Sequence, residues 1–294
     1  MTSVGFVGLG SMGLPMAKNL VARGFDVRGF DMRSAAIEAL ADAGGSRAPS
    51  AAEAGRGTDA LVLMVVNAAQ AEAVLFNDGA LTALPENGIV VLMATCPPAS
   101  VEDIAARVVS AGRRFVDAPV SGGTVGAVAG TLTIMAAAPH ETFEAAKPVL
   151  SAMGDKVYHV GKSPGQGAMV KTVNQLFCGV HIAVAAEAFS LAAKVGVDMD
   201  VLLEIVSGSA ASSWMLKDRG PRMLQDEPEV TSAVDIFVKD LGIVLQAGRD
   251  TKAALPLAAV AHQMFLATSG RGDGSADDSQ VIRAYKALNV KKGQ

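Results

Sequence analysis

The stretch Val4-Gly5-Phe6-Val7-Gly8-Leu9-Gly10-Ser11-Met12-Gly13 places three glycines directly after a short apolar run and at the start of a helical pattern, residues 12–22. In such a G-x-G-x-x-G turn the first glycine permits the tight turn. The second lets a pyrophosphate approach the backbone, and the third lets the helix pack closely on the strand. The helix start offers free N–H groups to phosphates. The stretch therefore predicts a dinucleotide site formed by Gly8, Leu9, Gly10, Ser11, Met12 and Gly13.

Asp31 follows the second predicted strand, residues 27–30, and lies 23 residues after Gly8. A carboxylate at this place accepts hydrogen bonds from the adenosine ribose and repels a 2′-phosphate, so it favours NAD over NADP. Arg33, two residues on, could partly accommodate NADPH. A merely structural glycine-rich turn is the alternative to a cofactor site.

The first 160 residues alternate between Val/Leu/Ile-rich runs and Ala/Glu/Arg-rich helical patterns. Alternation at this spacing predicts a parallel sheet with crossover helices. The predicted strands are 4–7, 27–30, 60–66, 89–93 and 114–117, and the predicted helices are 12–22, 34–43, 70–75 and 101–110. Two further strands, 132–136 and 156–160, flank a helix at 140–153 and are expected to extend the sheet.

Strand signals stop after the glycine- and proline-rich loop 161–167. Beyond it the predicted helices are 168–194, 200–207, 213–224, 232–249, 257–268 and 277–288. The predicted fold is an α/β Rossmann-type, doubly wound parallel sheet in residues 1–163. It is followed by an all-α domain in residues 164–294, led by a long interdomain helix of roughly 40 Å.

The composition of the 294-residue chain excludes several classes of protein. A net charge of −4 argues against a nucleic-acid binder, and 50% hydrophobic with 18% charged residues allows a large core. The apolar stretches contain Gly, Pro or polar residues, so no membrane span is expected. Two cysteines and no leader pattern predict a cytoplasmic protein. The four histidines lack metal-ligand spacing, so no metal is predicted.

Two further segments could carry chemistry. Asp117-Ala118-Pro119-Val120-Ser121-Gly122-Gly123 follows a predicted strand with small residues, whose N–H groups and hydroxyl could hold a carboxylate. A tight loop at a sheet edge is the alternative. Lys171 lies among apolar or small residues early in the long helix, and Gln175 shares its face. Such a lysine could transfer a proton, although a solvated charge is the alternative.

Together these segments resemble the β-hydroxyacid dehydrogenase family over essentially the whole chain. The resemblance is carried by Gly8-x-Gly10-x-x-Gly13, the Asp117–Gly123 loop, Gly167-x-x-x-Lys171-x-x-Asn174 and Lys239-Asp240-Leu241. It implies that Lys171 is the general acid/base and that Ser121, Gly122 and Gly123 bind the substrate carboxylate. It also implies cofactor contacts from Asn67, Thr95 and Lys239, and substrate contacts from Asn174, Gln175 and Asp240. A homodimer or homotetramer is implied as well.

Three positions depart from the usual family pattern: Gln175 replaces Asn, Ser232 replaces an aromatic residue, and Ala94 replaces Ser. The first two changes make room and add polar groups. They resemble the branch that oxidises four-carbon sugar acids such as L-threonate at carbon-2. The expected activity is therefore NAD-dependent oxidation of a small hydroxy acid. The alternatives are a 2-hydroxy-3-oxopropionate (tartronate semialdehyde) reductase, a 3-hydroxyisobutyrate dehydrogenase and a catalytically silent dinucleotide-binding module.

Overall fold

The short apolar runs form one sheet in the computed structural model, which describes residues 2–289. Its strands are Ser3–Val7 (β1), Asp26–Phe30 (β2), Ser46–Arg47 (β3), Ala60–Leu63 (β4), Ile89–Leu92 (β5), Arg114–Asp117 (β6), Val120–Ser121 (β7), Thr133–Ala137 (β8) and Lys156–Gly161 (β9). All four residues of β4 and of β5 are buried. Continuous apolar strands of this kind form because helices cover both faces of a parallel sheet.

The strand order is β3-β2-β1-β4-β5-β6-β8-β7, with β9 paired to β8. The first six strands pair in parallel, for example Val7 with Phe30 and with Leu63. Beyond β6 the sheet is mixed, because β8 is antiparallel to β6 and β7 and parallel to β9. A parallel connection usually needs a full crossover helix, and the seven-residue helix Gly123–Ala129 between β7 and β8 is short.

Two separate cores, one on each face of the sheet, confirm the doubly wound arrangement. Alternate residues of β5 enter opposite cores, with Ile89 and Val91 in one and Val90 and Leu92 in the other. The helices are Gly13–Ala22 (α1), Ser34–Ala41 (α2), Ala51–Gly55 (α3), Ala68–Glu72 (α4), Ala80–Ala83 (α5), Pro98–Ser110 (α6), Gly123–Ala129 (α7) and His140–Met153 (α8). A π-helical turn, Ala73–Asn77, follows α4.

The C-terminal part is helical, as predicted. Its helices are Gln166–Val195 (α9), Met199–Gly208 (α10), Trp214–Met223 (α11), Val234–Thr251 (α12), Pro256–Thr268 (α13) and Ile282–Leu288 (α14), with a π turn at Ser269–Asp273 and a 3₁₀ turn at Asp278–Val281. Their core is aromatic and aliphatic, and includes Phe189, Phe237, Leu241 and Phe265.

The chain divides into two compact units, Met1–Lys171 and Thr172–Gln294, so the division falls inside α9. The domain boundary at residue 163 stays a prediction. Among the described residues, α9 is the one helix that is long and apolar enough to cross a membrane by length and composition. Core helices of soluble proteins pass the same test, and 44% of its most apolar window is buried.

Candidate active site

The residues predicted to contact the cofactor follow four neighbouring parallel strands. Gly8 follows β1, Asp31 follows β2, Asn67 lies beyond β4 and Thr95 beyond β5. These strands are adjacent in the sheet in the order β2-β1-β4-β5. Because the carboxyl ends of parallel strands meet at the same edge, the four residues share one edge, where open α/β sheets bind ligands.

In the glycine turn, the surrounding backbone leaves no room for a side chain at Gly8 or Gly13, whereas the space around Gly10 is open. Gly8 has φ +94°, and a Cβ there would lie 2.4 Å from the Met64 carbonyl oxygen. A Cβ at Gly13 would lie 1.8 Å from the carbonyl oxygen of Gly8. At Gly10 the nearest atom to a Cβ is Arg33 Nη2 at 3.9 Å. The turn therefore presents an open backbone face at Gly10, where a pyrophosphate fits.

The start of α1 faces this turn without a side-chain cap. Met12 precedes the helix, and within residues 2–289 no side chain accepts a hydrogen bond at that cap. An uncapped helix start keeps N–H groups and the positive dipole end available for an anion. This observation and the open face at Gly10 both fit a dinucleotide.

The Asp31 carboxylate is held by the chain itself. Its Oδ2 accepts the Leu9 N–H at 2.7 Å, and its Oδ1 accepts the N–H of Arg33 at 2.9 Å and Nε–H at 3.1 Å. Burial opposes ionisation, but the hydrogen bonds from Arg33 and Leu9 outweigh it and hold the pKa of Asp31 below its usual value. A carboxylate oxygen accepts about two hydrogen bonds, so Oδ2 can accept one more from a ribose hydroxyl.

The Arg33 guanidinium lies against the same turn. Its Nη2 donates to the Leu9 carbonyl oxygen at 3.0 Å, while Nε pairs with Asp31. The side chain is 64% exposed. Arg33 is therefore close enough to Asp31 to reduce the repulsion that this carboxylate would exert on a 2′-phosphate.

Asn67 and Thr95 lie in the connections after the central strands. Asn67 Oδ1 accepts the Gln70 N–H at 2.9 Å and caps α4. Thr95 is half-buried between β5 and α6. Both residues lie at the edge of the sheet formed by the carboxyl ends of the parallel strands. Their contacts with the cofactor stay predictions.

The predicted carboxylate loop begins at β7. Ser121 pairs with Thr133 of β8 and ends the strand. Gly122 and Gly123 then have φ values of +130° and +61°, which side chains rarely adopt. The turn therefore favours glycine at both positions, and its role in binding the substrate carboxylate stays a prediction.

Lys171 lies in the second turn of α9 and is 6% exposed. A solvated lysine would extend into water, so the alternative reading of a surface charge does not fit this burial. A buried ammonium is costly unless polar groups surround it, and lysines in such surroundings are candidates for proton transfer.

The contact of Asp117 with the start of α9 is a feature of the site that the sequence did not predict, although Asp117 opens the predicted carboxylate loop. It ends β6 and is 1% exposed, and its Oδ2 accepts the N–H groups of Gly165 and Ala168, each at 2.9 Å. Burial raises the pKa of Asp117 to about 6, against the lowering effect of N–H groups from Ala168, Gly165 and Gly167. No local pattern could reveal this contact, because the partners lie 48 and 51 residues away.

Four of the predicted residues meet in the second unit. Gln175 Nε2 donates to Asp240 Oδ2 at 2.5 Å, and Asn174 Nδ2 donates to Gln175 Oε1 at 2.9 Å. Lys239 Nζ lies 2.7 Å from Asp240 Oδ1. Gln175 and Asp240 are 7% and 2% exposed. Asn174, Gln175, Lys239 and Asp240, which the family resemblance implies as site residues, therefore form one polar cluster. In it Lys239 forms an ion pair with Asp240.

Ser232, the residue expected to widen the substrate pocket, makes a different contact. Its side chain hydrogen-bonds Asp278. Asp278 is fully buried and pairs with Arg219, whose Nε and Nη2 donate to it at 2.8 and 2.9 Å. The Ser232 hydroxyl thus belongs to an ion-pair network between α11 and the 3₁₀ turn.

Comparison with known proteins identifies the family. The family model described as the NAD binding domain of 6-phosphogluconate dehydrogenase matches residues 3–161. A second, described as the NAD-binding domain of NADP-dependent 3-hydroxyisobutyrate dehydrogenase, matches residues 165–285. The chain belongs to the β-hydroxyacid dehydrogenase family. It is an oxidoreductase, and its predicted cofactor, NAD, is confirmed.

The relatives match over nearly the full chain. L-threonate dehydrogenase of Cupriavidus necator is 44% identical over 98% of this chain and 97% of its own length. L-threonate dehydrogenase of Escherichia coli K12 is 40% identical over 98% and 96%. The solved structure of 3-hydroxyisobutyrate dehydrogenase from Salmonella typhimurium has a TM-score of 0.92 and 41% identity, with 96% and 99% covered.

Asp117 makes the stability depend on pH in a direction opposite to that of most aspartates. Its pKa of about 6 in the folded chain exceeds the ordinary 3.8, so the folded state binds the proton more tightly. The resulting stabilisation is complete below pH 4 and is lost as pH rises through 6. Each pH unit of difference corresponds to about 1.4 kcal/mol, which gives an upper limit of about 3 kcal/mol.

Asp117→Asn removes the titration and keeps an acceptor oxygen. We therefore expect the free energy of unfolding of this variant, relative to wild type, to increase between pH 5 and pH 8. Urea unfolding at both pH values measures the difference. If the difference in unfolding free energy between Asp117→Asn and wild type stays constant with pH, the raised pKa of Asp117 is contradicted.

Proposed function

We propose that this chain catalyses the NAD-dependent oxidation of a four-carbon sugar acid such as L-threonate at carbon-2. The observation that carries the proposal is the buried Lys171 in the second turn of α9, in the same compact unit as the Ser121–Gly123 loop. The 44% identity to L-threonate dehydrogenase of Cupriavidus necator, over 98% of the chain, supports the substrate class.

In this mechanism the loop Ser121–Gly123 binds the substrate carboxylate through its N–H groups and hydroxyl. Lys171 Nζ accepts the proton of the reacting hydroxyl as the carbon–hydrogen bond breaks. Bound NAD would supply the hydride acceptor for this step, in which the hydroxy acid becomes a keto acid. In the reverse direction the Lys171 ammonium donates the proton and stabilises the negative charge on the oxygen.

Asn174 and Gln175 follow Lys171 by three and four residues and therefore lie on the same side of α9. We propose that their amides contact the substrate hydroxyls. Asp240 fixes the Gln175 amide at 2.5 Å, and Lys239 holds Asp240 at 2.7 Å. A site that hydrogen-bonds substrate hydroxyls discriminates strongly against analogues that lack them.

For the cofactor, we propose that Gly8–Gly13 holds the pyrophosphate and that Asp31 Oδ2 accepts a hydrogen bond from the adenosine ribose. Asn67, Thr95 and Lys239 are proposed as further cofactor contacts. The open backbone face at Gly10 and the uncapped start of α1 support this assignment.

One observation favours a second substrate. The solved structure at TM-score 0.92 is that of a protein named 3-hydroxyisobutyrate dehydrogenase. Its 41% identity is close to that of the L-threonate dehydrogenases. 3-Hydroxyisobutyrate is therefore the competing substrate in the test below.

We also propose a cytoplasmic homodimer or homotetramer. The apolar side chains of Val173, Phe177, Val184 and Leu191 are more than half exposed along α9. Their spacing of four and seven residues forms one stripe of a helix, which a second subunit would cover. Light scattering at working concentration reads the subunit number.

Replacing Lys171 tests the proton-transfer role. Lys171→Ala should lower kcat by about 100-fold or more, because general acid–base assistance of this kind contributes ~100–10,000-fold. Lys162→Ala, at an exposed lysine in the preceding loop, is the matched control and should keep wild-type turnover. Near-wild-type kcat in Lys171→Ala would refute the mechanism.

Asp31 and Arg33 generate a prediction on cofactor preference. We expect kcat/KM with NAD to exceed that with NADP by about tenfold or more, since one hydrogen bond to a charged group contributes ~1.5–3 kcal/mol. Arg33→Ala should widen the ratio by weakening NADP use. Equal use of both cofactors by the wild type would show that Arg33 outweighs Asp31.

The substrate is tested by direct competition. L-Threonate should be oxidised with a kcat/KM at least about 100-fold higher than 3-hydroxyisobutyrate, because the proposed contacts of Gln175 require substrate hydroxyls. NADH formation and identification of the keto product measure it. Gln175→Asn, which restores the usual family residue, should narrow the ratio. Preference for 3-hydroxyisobutyrate would overturn the assignment.

A further inference from the structure

Asp117, the last residue of β6, connects the sheet to the start of α9 in the N-terminal unit. We propose that Asp117 is a positioning residue: its buried carboxylate holds the first turn of α9, and through that turn the Lys171 side chain, in register with the Ser121–Gly123 loop. The inference rests on the proposed role of Lys171 as the proton acceptor.

The carboxylate replaces a local helix cap. Side chains that cap a helix normally come from the residue that precedes it. Here the acceptor comes from a distant strand: Asp117 Oδ2 accepts the Gly165 N–H just before α9 and the Ala168 N–H in its first turn, each at 2.9 Å. Its negative charge also lies at the positive end of the helix dipole. Lys171 follows Ala168 by one turn.

Backbone packing fixes the same helix start from a second direction. A Cβ on Gly167 would lie 2.5 Å from the Met135 carbonyl oxygen and 2.9 Å from the Asp117 carbonyl oxygen. The first turn of α9 therefore lies directly against the end of β6 and the middle of β8. A helix start in this position cannot move without breaking these contacts.

The backbone of Asp117 is paired on both sides within the sheet. It pairs with Leu92 of β5 on one side and with Ala137 of β8 on the other. Four residues later the chain reaches Ser121, which pairs with Thr133 of β8. The helix that carries Lys171 and the loop proposed to hold the substrate carboxylate are thus fixed to neighbouring points of the same sheet.

The ionised Asp117 carboxylate lowers the stability of the folded chain at neutral pH. Burial raises its pKa to about 6, so the ionised form is penalised at neutral pH despite the N–H donors. A neutral asparagine could accept the same N–H groups without that penalty. Groups that are costly to bury and lie beside reacting residues are characteristic of functional sites.

Glu102, Lys162 and Lys171 are charged residues on the segments near the start of α9. Glu102 of α6 contacts Gly165, where its Oε1 would be 2.7 Å from a Cβ. Lys171 follows one turn along α9, and Lys162 is exposed in the preceding loop. Variants at position 117 change the Asp117 carboxylate alone and leave Glu102 and Lys171 in place.

The test compares Asp117→Ala, Asp117→Asn and Asp198→Ala. Asp198 caps α10 by accepting the N–H groups of Asp200 and Val201, each at 3.0 Å, so it controls for the loss of a capping aspartate elsewhere. The readouts are kcat and KM for the hydroxy acid, the pH profile of kcat, the Kd for NAD and the midpoint of urea unfolding.

Asp117→Ala should lower kcat at least tenfold, while KM and the Kd for NAD change less than threefold. In the pH profile of kcat, the part that depends on the protonation of Lys171 should shift by half a pH unit or more. Asp117→Asn should recover at least a third of wild-type kcat while unfolding at higher urea at pH 8. A purely structural cap would lose stability and activity together. Unchanged kcat and pH profile in folded Asp117→Ala would overturn the proposal, as would an equal loss in Asp198→Ala.

Gly167→Ala decides the case in which Asp117→Ala fails to fold. Its added Cβ displaces the start of α9 without removing an acceptor, so kcat and its pH profile should change as in Asp117→Ala. A folded Gly167→Ala with wild-type kcat and pH profile would refute the inference. Lys171→Ala separates the two claims: an active Lys171→Ala refutes the proposed function, whereas an inactive one beside an unaffected Asp117→Ala refutes only the positioning role.

Discussion

The hydrogen bonds from the start of α9 to the Asp117 carboxylate are the constraint on which the candidate site depends. They connect the end of a central strand to the helix that carries Lys171, within one compact unit. The parallel sheet brings the other elements of that unit to the same edge, since each strand from β2 to β6 ends there. The fold therefore brings the glycine turn, the Ser121–Gly123 loop and Lys171 together in the N-terminal unit.

Burial of charge recurs in both units. The carboxylates of Asp117 in the first unit and of Asp240 and Asp278 in the second are all buried beside specific donors. Breaking a buried pair leaves an uncompensated charge and is costly. The second unit uses one such network to fix the Gln175 amide and another to join α11 to the 3₁₀ turn.

Long periodic segments and the glycine turn were predictable from the sequence, because each has a strong local pattern. Residues 140–153 form a helix with the predicted ends, and the long helix differs by two residues at its start and one at its end. The short elements β3, α3, α5 and α7 were missed, since elements of two to seven residues show too little periodicity. The antiparallel pairing of β8 with β6 was missed because pairing partners are set by tertiary contacts.

The site divides in the same way. Residues in sequence motifs, such as Gly13 and Lys171, could be singled out as candidates from the sequence, whereas contacts between distant segments could not. The capping of α9 by Asp117 and the contact of Ser232 with Asp278 join residues about 50 apart. Neither contact leaves a signal in the local sequence. The first adds a capping role to Asp117, and the second places the Ser232 hydroxyl in an ion-pair network.

Chemical rescue tests most directly whether the ammonium of Lys171 performs the proton transfer. Lys171→Ala removes a buried side chain and leaves space for a small primary amine. The account predicts that ethylamine or propylamine restores hydroxy acid oxidation to this variant by at least about tenfold, with a rate that depends on the basicity of the amine. Tetramethylammonium, which carries charge but no proton, should restore nothing. Rescue by tetramethylammonium equal to that by the amines, or no rescue by any amine, would contradict the account.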